Sequence, residues 1–186
     1  MTTAWIAAAA AAVVALMSAF LTYNTTRRLS RRSDQIEFVG KQISQLYGPL
    51  HALSMANSAS WAEFRRRYNP DRSFLFGIAE PPDGEVVQAW KYWLRYVFMP
   101  INRKMFDIIL ERTDLIEGNE MPDCFIKFCA HVTGYEVVLA HWEDDDYSIL
   151  TSVNNYPGPS FNDYVQMKYK ALKVRQIALT GNSQDL

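Results

Sequence analysis

Apolar and polar positions divide the chain into one long apolar run followed by a series of helical stripes. From Ala4 to Tyr23 the sequence reads AWIAAAAAAVVALMSAFLTY, with Ser18 and Thr22 its only polar residues. That is the length, about 20 residues, that a helix needs to cross the hydrocarbon of a bilayer. Trp5 and Tyr23 stand at its ends, where amphipathic rings favour the headgroup layer. Ile36, Val39, Ile43, Leu46, Leu50 and Leu53 then recur at steps of 3, 4, 3, 4 and 3. This spacing suits either a self-association seam between copies or the core-facing stripe of an amphipathic helix. Gly48-Pro49 predicts a kink or break near Tyr47, because proline lacks an N–H and crowds the preceding turn.

Further on, Ser60 and Glu63 form an S-x-x-E capping box that predicts a short new helix carrying Trp61, Phe64 and Tyr68, ended by Asn69-Pro70. The stretch from Asp71 to Gly84, with Pro81-Pro82-Asp83-Gly84, reads as a loop. Val86, Trp90, Trp93, Leu94 and Val97 make a 3.6-period stripe that resumes after Pro100 as Ile101, Met105, Ile108 and Ile109. One kinked helix or two abutting ones would fit. Gly118 is expected to stop a helix, and Asn119 with Pro122 to start the next, which runs to about Trp142. After a loop at Asn154–Pro159, Ser160 opens a last helix ending near Gly181. No segment alternates as a strand would. The expected fold is all-α: an N-terminal transmembrane helix followed by an irregular bundle of about four or five helices. The expected organisation is an anchor with a basic juxtamembrane segment over residues 1–32 and a cytoplasmic domain over residues 33–186.

Charge orients the anchor. Arg27, Arg28, Arg31 and Arg32 follow the apolar run, and the positive-inside rule places the C-terminal side in the cytoplasm, with the N-terminus outside the inner membrane. A cleaved secretory signal would need basic residues ahead of the run and an A-x-A-like site after it, and neither is present. The arginines also face anionic lipid, at about 1 kcal/mol each near the surface. In the whole chain 19 basic residues meet 20 acidic ones, a net charge of −1 that argues against nucleic acid as a partner. Cys124 and Cys129 suit a reducing compartment and suggest no disulfide framework.

Reactive patterns are sparse. The glycine-rich phosphate loops, G-x-S-x-G, H-E-x-x-H and paired Glu-x-x-His motifs are absent. His131 and His141 lie ten residues apart on one predicted helix, so their directions differ by about 80°. Cys124 and Cys129 diverge further, and Cys129-x-His131 would point to nearly opposite faces. No metal or other cofactor is therefore expected. The acidic run Glu143-Asp144-Asp145-Asp146 lacks the spaced ligands and glycine of a calcium loop and reads as a solvated helix end that stops the helix. Arg65-Arg66-Arg67 and Lys168, Lys170, Lys173 and Arg175 read as solvated basic faces. Trp90 and Trp93 read as core.

Four stretches, Leu46-Tyr47-Gly48-Pro49-Leu50, Asp114-Leu115-Ile116-Glu117, Ala130-His131-Val132 with Tyr135-Glu136, and Asn155-Tyr156-Pro157, together resemble an uncharacterised family of small bacterial single-pass membrane proteins with a cytoplasmic helical domain. The likeness spans most of the chain and implies an anchor and a bacterial source. It brings no catalytic or binding residue with it.

Three functions follow as expectations. The first is a membrane-tethered, non-enzymatic interaction or regulatory module, with membrane lipid and a protein partner or a second copy as its contacts. The second is a helical-bundle enzyme or cofactor binder built on His131, Tyr135, Glu136 and His141. The third is a membrane-acting effector, since small residues such as Ala8 and Ala12 permit close helix approach.

Overall fold

The computed structural model describes residues 2–68 and 84–181, with side chains from residue 16 onward. All regular structure among the described residues is helical. Helix α1 spans Thr2–Lys41, a π-helical turn Gln42–Tyr47 follows, and α2 continues over Gly48–Tyr68. Helix α3 covers Gly84–Trp93 and passes through a second π turn, Leu94–Phe98, into α4 at Met99–Glu111. A 3₁₀ turn at Thr113–Leu115 precedes α5 at Asp123–Glu143, and α6 spans Pro159–Gly181. Among the described residues no helix is long and apolar enough to cross a membrane. Residues 4–15, the larger part of the apolar run, lie outside the residues whose side chains are described.

Both prolines inside helices have the same local solution. The Gly48 N–H bonds to the Ile43 carbonyl, five residues back, just before Pro49. The Met99 N–H bonds to the Leu94 carbonyl, again five back, just before Pro100. A proline ring collides with the carbonyl four residues earlier and leaves it without a donor. Inserting one extra residue into the turn widens the helix there and relieves the collision, so the chain keeps its helix through both sites. The break expected at Tyr47 is therefore a π turn. Gly48 is needed for it, because a Cβ there would overlap the Ile43 carbonyl oxygen.

The capping box at Ser60 does not start a helix. Leu50, Ser54, Asn57 and Phe64 are buried along one continuous stripe of α2, and this burial carries the helix through Ser60. Asn69-Pro70 and the loop to Asp83 lie outside the described residues. Helix α4 ends at Glu111, earlier than expected, and Gly118 takes its positive φ of 97° in the connection beyond the 3₁₀ turn. Helix α5 starts at Asp123 rather than Asn119, with Pro122 as the residue before its first turn. At its other end Asp145 adopts φ 58° and the Asp146 N–H bonds back to the His141 carbonyl, a left-handed cap that aspartate tolerates.

The chain divides into two compact units, residues 1–40 with 174–186, and residues 41–173. The boundary expected after Arg32 falls inside the first. In the second, α2 packs on α4 and α4 on α5. Its core holds one aromatic cluster of Phe64, Trp90, Trp93 and Phe98, and another of Phe125, Phe128, Tyr156 and Phe161. Of the 36–53 stripe, Val39, Leu46 and Leu50 are fully buried and Ile36, Ile43 and Leu53 half-buried.

Candidate functional site

Helix α5 carries the residues from which an acid–base site could be assembled, and the structure assigns each a different partner. His131 is 6% exposed, wedged edge-on to Tyr135 and Tyr156, with Nδ1 2.9 Å from the Asn154 carbonyl. A carbonyl only accepts, so Nδ1 carries the hydrogen. Burial lowers the histidine's pKa, which keeps the ring neutral. The Glu136 carboxylate takes two bonds of 2.6 Å from the Arg103 guanidinium on α4. His141 lies one helical end away, with Nδ1 2.6 Å from Asp146 Oδ2. Hydrogen bonds from Ser148, then His141, hold the Asp146 carboxyl at about 2. Tyr135 is pushed up to about 12 by burial. These groups do not converge on a common point where a substrate atom could sit.

What α5 does instead is hold the irregular segment 144–158. His131 donates to the Asn154 carbonyl, Trp142 Nε1 to the Ile149 carbonyl at 2.8 Å, and Trp90 Nε1 of α3 to the Leu150 carbonyl at 2.7 Å. In return the Asn154 amide donates to the Ala130 carbonyl at 3.1 Å. A segment without its own ladder must place its backbone carbonyls somewhere, and three ring N–H groups receive them. Tyr156 adds a bond of 2.9 Å to Asn162 on α6. Cys124 and Cys129 are unpaired and half-buried, and burial raises both thiols. Among the described residues no group of His, Cys, Asp and Glu could hold a metal ion.

The segment's attachment shapes a cavity of about 170 Å³ between the polar face of α3 and the end of α5. Lys91, Tyr92, Arg95 and Tyr96 line one wall, with Trp142 and Tyr147 opposite. Lys91 Nζ sits 3.4 Å from the centre of the Tyr147 ring. Tyr92 and Tyr96 stack on each other at 6.2 Å and are 64% and 66% exposed. The apolar stripe predicts the buried face of this helix and says nothing of the opposite arc. The visible signal was two cations and two tyrosines, each pair at i, i+4. The contribution of Tyr147 depends on how the turn after α5 folds back, which local pattern does not encode.

Of the four juxtamembrane arginines, Arg27, Arg28 and Arg31 are exposed on α1. Arg32 is half-buried and donates to the Leu179 carbonyl near the end of α6, at 3.2 Å from Nε and 2.7 Å from Nη2. It caps a helix C-terminus, where cations are favoured. Comparison of the chain with protein-family models, with curated proteins and with solved structures finds no match.

Proposed function

We propose that the chain is a membrane-tethered, non-enzymatic interaction or regulatory module, held in the inner membrane with its N-terminus outside and its helical domain on the cytoplasmic side. One observation carries the tether. Leu16, Met17, Phe20, Leu21 and Tyr23 are 60–71% exposed on α1, in the same helix as the exposed Arg27, Arg28 and Arg31. Moving a large apolar side chain out of water is worth about 1.5–3 kcal/mol, so five together favour a lipid environment strongly. The arginines one to two turns later supply the orienting charge. The non-enzymatic half is supported by the commitment of His131, Glu136 and His141 to bonds that hold the fold.

Alkaline carbonate extraction of membranes, combined with a cytoplasm-active and a periplasm-active reporter fused after Leu186, tests the placement. The chain should stay in the pellet and only the cytoplasmic reporter should be active. Release into the supernatant, or periplasmic activity, defeats the reading. Neutral replacements at Arg27, Arg28 and Arg31 should weaken the orientation.

A further inference from the structure

The cavity beside α3 holds two cations whose charge its structural neighbours do not neutralise, although Lys91 Nζ rests on the Tyr147 ring. Lys91 and Arg95 are both half-buried, and neither meets a carboxylate within ion-pair distance among the described residues. Cations withdrawn part-way from water gain by meeting an anion. They are one helical turn apart on the same wall. Gln88 and the phenols of Tyr92 and Tyr96 line the same cavity and bring further donors to it, and the outer faces of the two stacked, largely exposed rings are open to a flat ligand.

We propose that this cavity binds a phosphomonoester borne on a flat ring, with the phosphoryl group between Lys91 and Arg95 and the ring against Tyr92 and Tyr96. Two separate cations with further donors lining the same cavity match a dianion with three terminal oxygens, whereas a carboxylate is satisfied by one guanidinium fork. At 170 Å³ the cavity is smaller than the roughly 300 Å³ of a pocket that swallows a whole ligand, so it takes the head group and leaves the ring at the rim. The acidic run 143–146 precedes Tyr147 in sequence and works against an extended polyanion. Within that run Asp146 is bonded to His141 and Ser148, and the Tyr147 phenol lies 3.5 Å from Asp145. The inference concerns the ligand of the helical domain and does not depend on the tether.

The test is calorimetric titration of the full chain in detergent with phenyl phosphate, a nucleoside monophosphate, inorganic phosphate and phenylacetate. Phenyl phosphate and the nucleotide should bind saturably, each about tenfold or more tighter than inorganic phosphate or phenylacetate. The two ring-bearing ligands together distinguish an aryl phosphate from a nucleotide as the tighter source. Lys91 also packs on Tyr147, so Arg95→Gln and Tyr96→Ser carry the test, each accepted only with the parent's melting curve. Arg95→Gln should weaken phenyl phosphate about tenfold or more, Tyr96→Ser should remove the advantage over inorganic phosphate, and Lys104→Gln on α4 should change neither. Absence of binding at millimolar phenyl phosphate, equal binding of phenylacetate, or undiminished binding by folded Arg95→Gln overturns the proposal.

Discussion

Single residues in the α5 region have two separable jobs, and substitution can distinguish them. A Cβ on Gly134 would overlap the Ser152 hydroxyl, which itself accepts the Asn154 N–H at 3.1 Å. The hydroxyl can rotate away, but only by giving up that bond. Gly134→Ala therefore sets a helix-propensity gain of about 0.5–1 kcal/mol against a lost hydrogen bond of similar size. In the parent the change should leave the melting temperature level or lower. In a Ser152→Ala background the hydroxyl and its bond are gone while Asn154 Nδ2 at 3.3 Å and the residue-152 Cβ at 3.4 Å remain, so the same change should be more favourable than in the parent, by up to about 0.5–1 kcal/mol. A second prediction follows from His131. Its folded pKa is depressed by burial, so only the unfolded chain takes up a proton as pH falls below the ordinary value of about 6.5. The stability it contributes is complete above that pH, declines as pH falls towards the folded pKa, and is constant below it. Its share of the decline has a slope of at most about 1.4 kcal/mol per pH unit. His131→Gln keeps an N–H donor without a titrating ring, and its denaturation midpoints between pH 7.5 and 5 should fall less than the parent's. Equal falls would remove His131 from the account.

At the scale of elements, the instructive feature is that neither internal proline ends a helix. Proline chemistry announces a disturbance at Gly48-Pro49 and Met99-Pro100, and a disturbance occurs at both. Whether it becomes a break or a π turn is decided by the burial of the flanking turns, since Leu46, Tyr47 and Leu50 on one side and Leu94, Phe98 and Met99 on the other are all buried. Local pattern does not contain that information. The same applies to Ser60, where S-x-x-E is satisfied in sequence while Glu63 pairs with Arg66 within an unbroken helix. Helix ends determined by strong local chemistry, by contrast, were legible: α6 begins at Pro159 and ends at Gly181, and α5 ends where the acidic run begins. Gly48 and Gly40 give a paired test. At Gly48 an alanine Cβ meets a backbone carbonyl that cannot rotate aside, so Gly48→Ala should destabilise by about 1–3 kcal/mol. Gly40, also helical, has nothing within 4 Å of its Cβ position, and Gly40→Ala should stabilise by about 0.5–1 kcal/mol. Thermal denaturation of the two variants should therefore shift in opposite directions, and a stabilised Gly48→Ala would show that the π turn does not require glycine.

For the whole molecule, the helical class was legible because helical periodicity and the prolines and glycines between stripes are local signals. The ligand cavity was not, because it is built where one helix meets the turn after another. The 36–53 stripe sits between these cases: its spacing was plain, but spacing alone serves a seam between copies and an internal core face equally well. Burial bears on three of its six positions, while Ile36, Ile43 and Leu53 are half-buried. Leu46 and Leu50 are 0% exposed in a single copy, as is Val39, so they have no surface left to offer a partner without opening the fold. Leu46→Asp should therefore abolish cooperative unfolding, since an unpaired buried carboxylate and the lost packing each cost several kcal/mol against a total stability of about 5–15 kcal/mol. Cysteines placed at Val39 or Ile43 in native membranes should give no dimer under oxidising conditions, and neither should those at the exposed Gln45. If Ile43 cysteines crosslink efficiently while Leu46→Asp stays folded and loses that crosslink in a matching Ile43 cysteine background, the stripe is a surface between copies and the packing described for α2 holds only in their absence.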